Sequence, residues 1–305
     1  MQRFTNILFV AQPIAHALPA LKRAVQLAKS NGAKLTITSV RDELPRTLEN
    51  LNKTFSKLQH DDLKSLLKDV NVEDVEYKIE TYVGTPFIEI IKSVAKNNYD
   101  LVIKPTEGKG QVSNFLFGST DLHLLRKCPC PIWIIKPLKQ KQFSTILAAV
   151  DPDPSEKANA ELNTLILNLA ISLARQEKSE LHVMHTWKFP YENSLRSGRA
   201  RLDISEVEQI VNDSRLNYKK RFDNLLSQFD FEGVDLNVHF LKGDIDDIIS
   251  TLEEQINLDL IIMGTVARTG IPGFFIGNSA EKILSTADSS ILAVKPSKFE
   301  TPIGK

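Results

Sequence analysis

The chain repeats itself, and no other feature limits its fold so strongly, because a repeat fixes both the number of domains and the meaning of each segment. Phe4-Thr5-Asn6-Ile7-Leu8 is answered by Phe143-Ser144-Thr145-Ile146-Leu147, and Tyr99-Asp100-Leu101-Val102-Ile103 by Leu258-Asp259-Leu260-Ile261-Ile262. Gly118 is answered by Gly277, and Ile135-Lys136-Pro137 by Val294-Lys295-Pro296, always in the same order. The spacing between partners grows by about 20 residues along the chain, so the second half carries an insertion. Residues 188–204, with Pro190, Asn193, Ser194, Ser197 and Gly198, have the composition of a loop and are its natural place. The expected domains are residues 1–138 and 143–305, joined by the polar stretch Lys139-Gln140-Lys141-Gln142.

Each half alternates strand and helix. In the first, the pattern predicts strands over 7–10, 35–40, 75–83, 101–103 and 132–135. Leu18, Leu21, Val25 and Ala28 share one face of a helix that Asn31-Gly32 stops; a longer helix runs over 48–68, and Thr85-Pro86 opens another, with Thr as cap. The second half repeats this with a strand over 146–150, a helix bearing Leu162, Leu165, Leu169 and Leu173, and a strand over 181–185. Its next helix is expected to start at the capping box formed by Ser205 and Glu208. Near-continuous apolar strands alternating with helices imply an α/β fold with two tandem, doubly wound, parallel five-stranded sheets, each covered on both faces. The terminal strands, Ile132-Trp133-Ile134-Ile135 and Ile291-Leu292-Ala293-Val294, are apolar edges that need cover. Pairing them within the chain gives an internal pseudo-dimer; further homodimerisation stays open.

Lys plus Arg equals Asp plus Glu, 38 against 38, so no global field draws the chain to nucleic acid or an anionic membrane. No apolar run approaches a membrane span and the start shows no cleavage pattern, which makes the cytoplasm the expected compartment. The two cysteines, in Cys128-Pro129-Cys130-Pro131, form neither a C-x-x-C pair nor a zinc set. With His123 nearby they read as a connection entering a buried strand.

In doubly wound sheets ligands bind beyond the carboxyl ends of the strands, where strand order reverses, so the loops after strands one and four carry the interest. After the fourth strand of the second half, Met263-Gly264 begins a stretch that continues through Ala267-Arg268 to Gly277-Asn278-Ser279. Glycines there let backbone N–H groups approach phosphate oxygens, and a helix beginning at Asn278, with Glu281 completing a cap-like pair, would aim its N-terminus at the anion. This stretch resembles the signature of the universal stress protein family: Gly264 and Gly277 at the outer glycine positions, Asn278 at the small polar position, and Ala267 where the middle glycine belongs. A left-handed backbone at Ala267 would cost about 1 kcal/mol. The resemblance covers residues 4–137 and 143–296 and, in the stretch 264–273, is closest to the E type of the family.

The resemblance implies a Rossmann-like fold of the adenine nucleotide alpha hydrolase-like kind and an ATP site, with or without Mg, better preserved in the second half. Asp151, after Ala149-Val150, takes the position of the acid that binds ribose, Thr186 falls where the base is contacted, and Arg268 is the phosphate candidate in the loop. In the first half Gln12 replaces that acid, Val40 ends the second strand, and Gly108, Gly118 and Ser119 keep part of the signature, but Pro105 stands at its first glycine and brings neither an N–H nor a free φ. Family members are implied to act in stress and starvation resistance through regulatory protein partners.

The sequence lacks a G-x-x-x-x-G-K-[ST] loop, a G-x-S-x-G elbow and an H-E-x-x-H motif, so a dedicated enzyme is not indicated, and slow ATP hydrolysis is the most the site implies. His182 and His185 beside Asp151 suggest a proton relay, but strand histidines are more often structural. Arg196, Arg199 and Arg201 suggest a lid over phosphates, against the plainer reading of a solvated loop. The alternative function is a scaffold whose pocket, near Phe274 and Phe275, takes an apolar or phosphorylated metabolite.

Overall fold

The computed structural model describes residues 4–107, 117–136, 142–153, 157–197, 202–265, 277–296 and 299–303. The first half forms β1 (Asn6–Val10), α1 (Ala17–Asn31), β2 (Lys34–Arg41), α2 (Asn52–Leu67), β3 (Tyr77–Val83), α3 (Pro86–Asn97), β4 (Leu101–Pro105), α4 (Ser119–Lys127) and β5 (Ile132–Ile135). The second forms β6 (Thr145–Ala149), α5 (Lys157–Glu177), β7 (Glu180–Trp187), α6 (Glu192–Arg196), α7 (Ile204–Leu226), β8 (Asp235–Lys242), α8 (Ile245–Ile256), β9 (Leu260–Gly264), α9 (Asn278–Thr286) and β10 (Ser290–Val294). By contacts the chain divides into one unit of residues 1–141 with 265–305 and another of 142–264.

In the first unit the strand order is β3-β2-β1-β4-β5-β10. Strands β1 to β5 run parallel, whereas β10 meets β5 antiparallel, with Ile291 opposite Ile134, Leu292 opposite Trp133 and Ala293 opposite Ile132. The two apolar terminal strands thus cover each other's edge, as their composition demands. In the second unit the order is β9-β6-β7-β8, all parallel.

The parallel arrangement follows from strands with no polar face: Ile7, Leu8, Phe9 and Val10 are all fully buried, as are Ile146, Leu147 and Ala148. Helix α1 lays Leu21, Ala24 and Ala28 on that surface and ends where Gly32 takes φ 61°, a left-handed turn that a glycine makes without a Cβ penalty. Strand β1 lies between β2 and β4, and β6 between β7 and β9, so the chain leaves each central strand in opposite directions and opens a crevice at its carboxyl end.

Local details differ from the sequence expectations. Helix α2 is preceded by a 3-10 segment, Arg46–Leu51, entered from Pro45, so the regular helix starts later than the apolar pattern suggests. Helix α7 is capped by Asp203 rather than Ser205: Asp203 keeps an extended backbone and its N–H donates to Glu206 Oε2 at 2.8 Å, while Ser205 is already helical. Thr85 precedes α3 without a side-chain cap, and Pro86 opens that helix. Part of the inserted segment is helical, as α6.

Candidate functional site

In the second unit the crevice lies at the ends of β6 and β9, which are in register with Ala149 opposite Met263. Val150 N–H donates to Met184 O at 3.0 Å and thereby extends the β6–β7 ladder past the last regular residue. The next residue, Asp151, is held by a side chain from α5: its N–H donates to Asn163 Oδ1 at 2.9 Å, and Asn163 Nδ2 donates to its carbonyl at 2.6 Å. Asn163 is buried, so this amide does for Asp151 what a neighbouring strand would do for a residue inside the sheet.

The residue before Asn163 shapes the other side of the crevice. A Cβ on Gly264 would approach Leu162 Cδ2 to 2.5 Å, so the bare Cα at the end of β9 is what lets α5 pack there. Asp151 and Gly264 are therefore brought to one crevice by consecutive residues of α5. Met263 is buried beneath it, and Thr186, near the end of β7, is half-buried.

The suggested relay from His182 through His185 to Asp151 is not what the structure shows. His185 Nδ1 lies 3.1 Å from Val150 O, and its ring is packed by Tyr218, Phe222 and Phe240. His182 faces the other way along the sheet, with Nδ1 2.8 Å from His239 Nε2 of β8. Burial, and then the neighbouring His182, hold His239 below the usual imidazole range. Strand alternation accounts for the separation, because residues three apart on a strand point to opposite faces of the sheet.

Ala267, Arg268, Phe274 and Phe275 lie outside the described residues, as do Arg199, Arg201 and Gly108. Arg196 pairs with Glu192 at 3.1 Å. Gly277, Asn278 and Ser279 belong to the first unit and start α9. There Gly277 is the cap and Asn278 the first helical residue; Glu281 sends its N–H to Gly277 O at 2.9 Å, but its carboxylate pairs with Arg126 of α4. The expected cap-like pair of Asn278 with Glu281 is thus replaced by a backbone turn and an ion pair.

The equivalent crevice of the first half is furnished differently. Gln12 follows β1 with its N–H on Val10 O at 2.9 Å, Val40 is buried at the end of β2, and Gly118 and Ser119 start α4. Backbone N–H groups after β4 and at the start of α4 are taken by carboxylates of the chain. Asp121 Oδ2 accepts from Gly118 N at 3.1 Å, Glu107 N at 2.9 Å and the Thr106 hydroxyl at 3.2 Å, while its Oδ1 pairs with the Lys104 ammonium. Glu107 Oε2 accepts from Thr120 N at 3.2 Å, and a Cβ on Gly118 would collide with that carboxylate. Lys104 and Asp121 are both fully buried.

By the repeat, Lys104 and Asp121 correspond to Met263 and Ala280 in the second half, which builds in no such pair. The sequence signal for the pair was a lysine within the apolar run Leu101-Val102-Ile103-Lys104. Asn163 gave no signal, since polar residues inside a long helix are ordinarily exposed. Elsewhere, His123 stacks on Phe87 with centroids 4.2 Å apart, and burial followed by Lys127 and Arg126 holds it below the usual imidazole range. Among the described residues no group of three or more His, Cys, Asp or Glu side chains is placed to hold a metal ion.

Residues 3–136 and 142–295 each match the sequence profile of the Universal stress protein family. The chain is 28% identical to Universal stress protein E of Escherichia coli strain K12, over 99% of this chain and 98% of the relative. It is 27% identical, with the same coverage, to Universal stress protein E of Photorhabdus laumondii. Among solved structures, a putative universal stress protein from Pseudomonas aeruginosa UCBPP-PA14 superposes with a TM-score of 0.68 at 23% identity, covering 97% of this chain and 95% of that one. A universal stress protein from Archaeoglobus fulgidus gives 0.64 at 18% identity, covering 95% and 98%. Among the described residues no helix is long and apolar enough to cross a membrane. Matched in both halves over nearly all of its length, the chain belongs to the universal stress protein family, as a tandem of two of its domains.

Proposed function

We propose that this protein is a nucleotide-binding regulator of stress and starvation resistance, whose second domain, taken as residues 143–305, binds ATP with or without Mg, and whose first domain, residues 1–138, does not. The observation that carries the reading is the placement of Asp151: a carboxylate-bearing residue at the end of the central strand, with both backbone polar groups pinned by the buried Asn163. A carboxylate held there accepts hydrogen bonds from ribose hydroxyls, which distinguishes a nucleotide from a bare phosphate.

By resemblance to the family, Asp151 with the neighbouring Ala149 and Val150 is assigned to the ribose, Thr186 to the base, and Met263 and Gly264 to the start of the phosphate loop. Ala267, Arg268, Gly277, Asn278 and Ser279 are assigned to the phosphates on the family signature. The contrast between the halves supports the choice of domain. The first fills its own anion position with Asp121 and Glu107, whereas the second has Ala280 at the place of Asp121. Regulation by occupancy requires binding only.

The test is the melting temperature of the full chain with and without Mg-ATP. At a ligand concentration one hundred times the dissociation constant, stabilisation is about 2.7 kcal/mol. Asp151→Ala should abolish the shift and Gln12→Ala should leave it. No shift with the native chain, together with no nucleotide in an acid extract of the protein, would overturn the proposal.

A further inference from the structure

Cys128 and Cys130 lie in the connection from α4 to β5, separated by Pro129. Cys128 closes α4, its N–H donating to Leu124 O at 2.9 Å, and the chain bends immediately afterwards. Both side chains are buried, Cys128 completely and Cys130 with 7% exposure, and their sulfurs are 3.6 Å apart. Buried cysteines are usually inert packing residues. Here a third group argues otherwise.

Lys295, directly after β10, is only 3% exposed, and its Nζ has no hydrogen-bond partner among the described residues. The ammonium sits over the Phe299 ring, 4.1 Å from its centroid. Burial brings Lys295 down to about 8, and the groups that work against that fall are the two thiols. The electrostatics act in return on the sulfurs. Burial opposes ionisation of Cys128, but the S–H and N–H of Cys130 and the Lys295 charge outweigh it and hold Cys128 below the usual thiol range. Burial and the facing Cys128 sulfur push Cys130 up. The pair therefore releases its first proton as one unit, leaving an anion shared between two sulfurs within electrostatic reach of a buried cation.

The geometry points to a redox site in which Cys128 and Cys130 form a disulfide on reaction with a hydroperoxide, with the Lys295 ammonium as the counter-charge of the reactive thiolate. The thiolate attacks one peroxide oxygen, the O–O bond breaks, and the departing oxygen takes up a proton to leave as water or an alcohol. The attacking sulfur is now a sulfenic acid. The second thiol attacks that sulfur, the S–O bond breaks, and the hydroxide leaves with the thiol proton as water. Two thiols have lost two electrons and one peroxide has gained them. The sulfurs must close from 3.6 Å to a bond of about 2.05 Å, a movement within reach of side-chain rotation at a bend. Oxidation also removes the anion whose charge acts on Lys295.

The test is mass spectrometry of the native full chain after exposure to hydrogen peroxide at neutral pH, with alkylation of remaining thiols. The expected product is a peptide lighter by about 2 mass units, restored by dithiothreitol. In Cys130→Ser, Cys128 should instead be trapped by dimedone as the sulfenic acid. Lys295→Met should slow oxidation about tenfold and Lys295→Arg should restore most of the rate. Should Lys295→Met fail to fold, the pH dependence of the native rate serves: it should follow an ionisation below that of free cysteine. Thiols that remain reduced while free cysteine is oxidised would overturn the assignment. A rate indifferent to Lys295→Met, or one that tracks free-thiol ionisation, would overturn it equally.

Discussion

Replacing Asp121 by Ala leaves the Lys104 ammonium fully buried, with the Pro105 carbonyl at 2.9 Å to accept from it and the Glu107 carboxylate no nearer than 3.9 Å. It also strips the acceptor from the N–H groups of Glu107 and Gly118. Removing one member of a buried ion pair costs about 3–5 kcal/mol, because the remaining charge loses its close partner. For a unit of this size that lowers the melting temperature by roughly 10 °C. Replacing both members with what the second half has at the same positions, Lys104→Met with Asp121→Ala, removes the stranded charge. It should recover at least about 2 kcal/mol of the loss, since apolar replacements of buried pairs are commonly near neutral. Urea unfolding followed by Trp133 fluorescence reports this unit, with Trp187, the only other tryptophan, changed to Phe in every variant. A loss under about 1 kcal/mol for Asp121→Ala, or a double variant equal to the sum of the two single ones, would refute the claim that the pair is a coupled, closed device.

Asn163→Ala strands the N–H and the carbonyl of Asp151 and should cost about 2–4 kcal/mol in urea unfolding of the second unit, with ATP affinity falling at least tenfold by titration calorimetry. Unchanged affinity would separate Asn163 from the site. Stability should also fall as the pH drops below about 6.5, where an ordinary imidazole takes up a proton in the unfolded chain while His239, held low by burial and by His182, does not do so in the folded one. The folded state thus binds fewer protons in that window, and His239→Gln should flatten the acid limb of the stability curve; an identical slope between pH 7 and 5 would contradict the assignment.

Much of the fold was written in the repeat. Apolar runs without a polar face required buried parallel strands, and Asn31-Gly32 fixed the end of α1 because Gly32 takes a left-handed turn there. Helix starts were less legible. Asp203 and Ser205 are both good caps, and the choice between them depends on where the chain leaves the inserted segment, which is a matter of tertiary packing. The candidate site divides in the same way. Asp151 and Gly264 were marked by resemblance to the family signature, and Pro105 by its missing N–H, since those signals reside in single residues. Asn163, Glu107 and Asp121 carry no motif, and their roles exist only because a helix returns over a strand end.

The sequence by itself determined two tandem α/β domains and marked where the halves differ, Gln12 and Pro105 against Asp151 and Gly264, because backbone requirements such as a glycine at a close approach, or no proline where a donor is needed, are properties of one position. Only the tertiary structure decided that the first crevice carries its own anions, that α5 clamps Asp151, and that the Lys295 charge acts on two cysteines some 165 residues earlier in the chain. Those are effects of burial and pairwise charge, and neither is defined until distant segments exclude water from the same space.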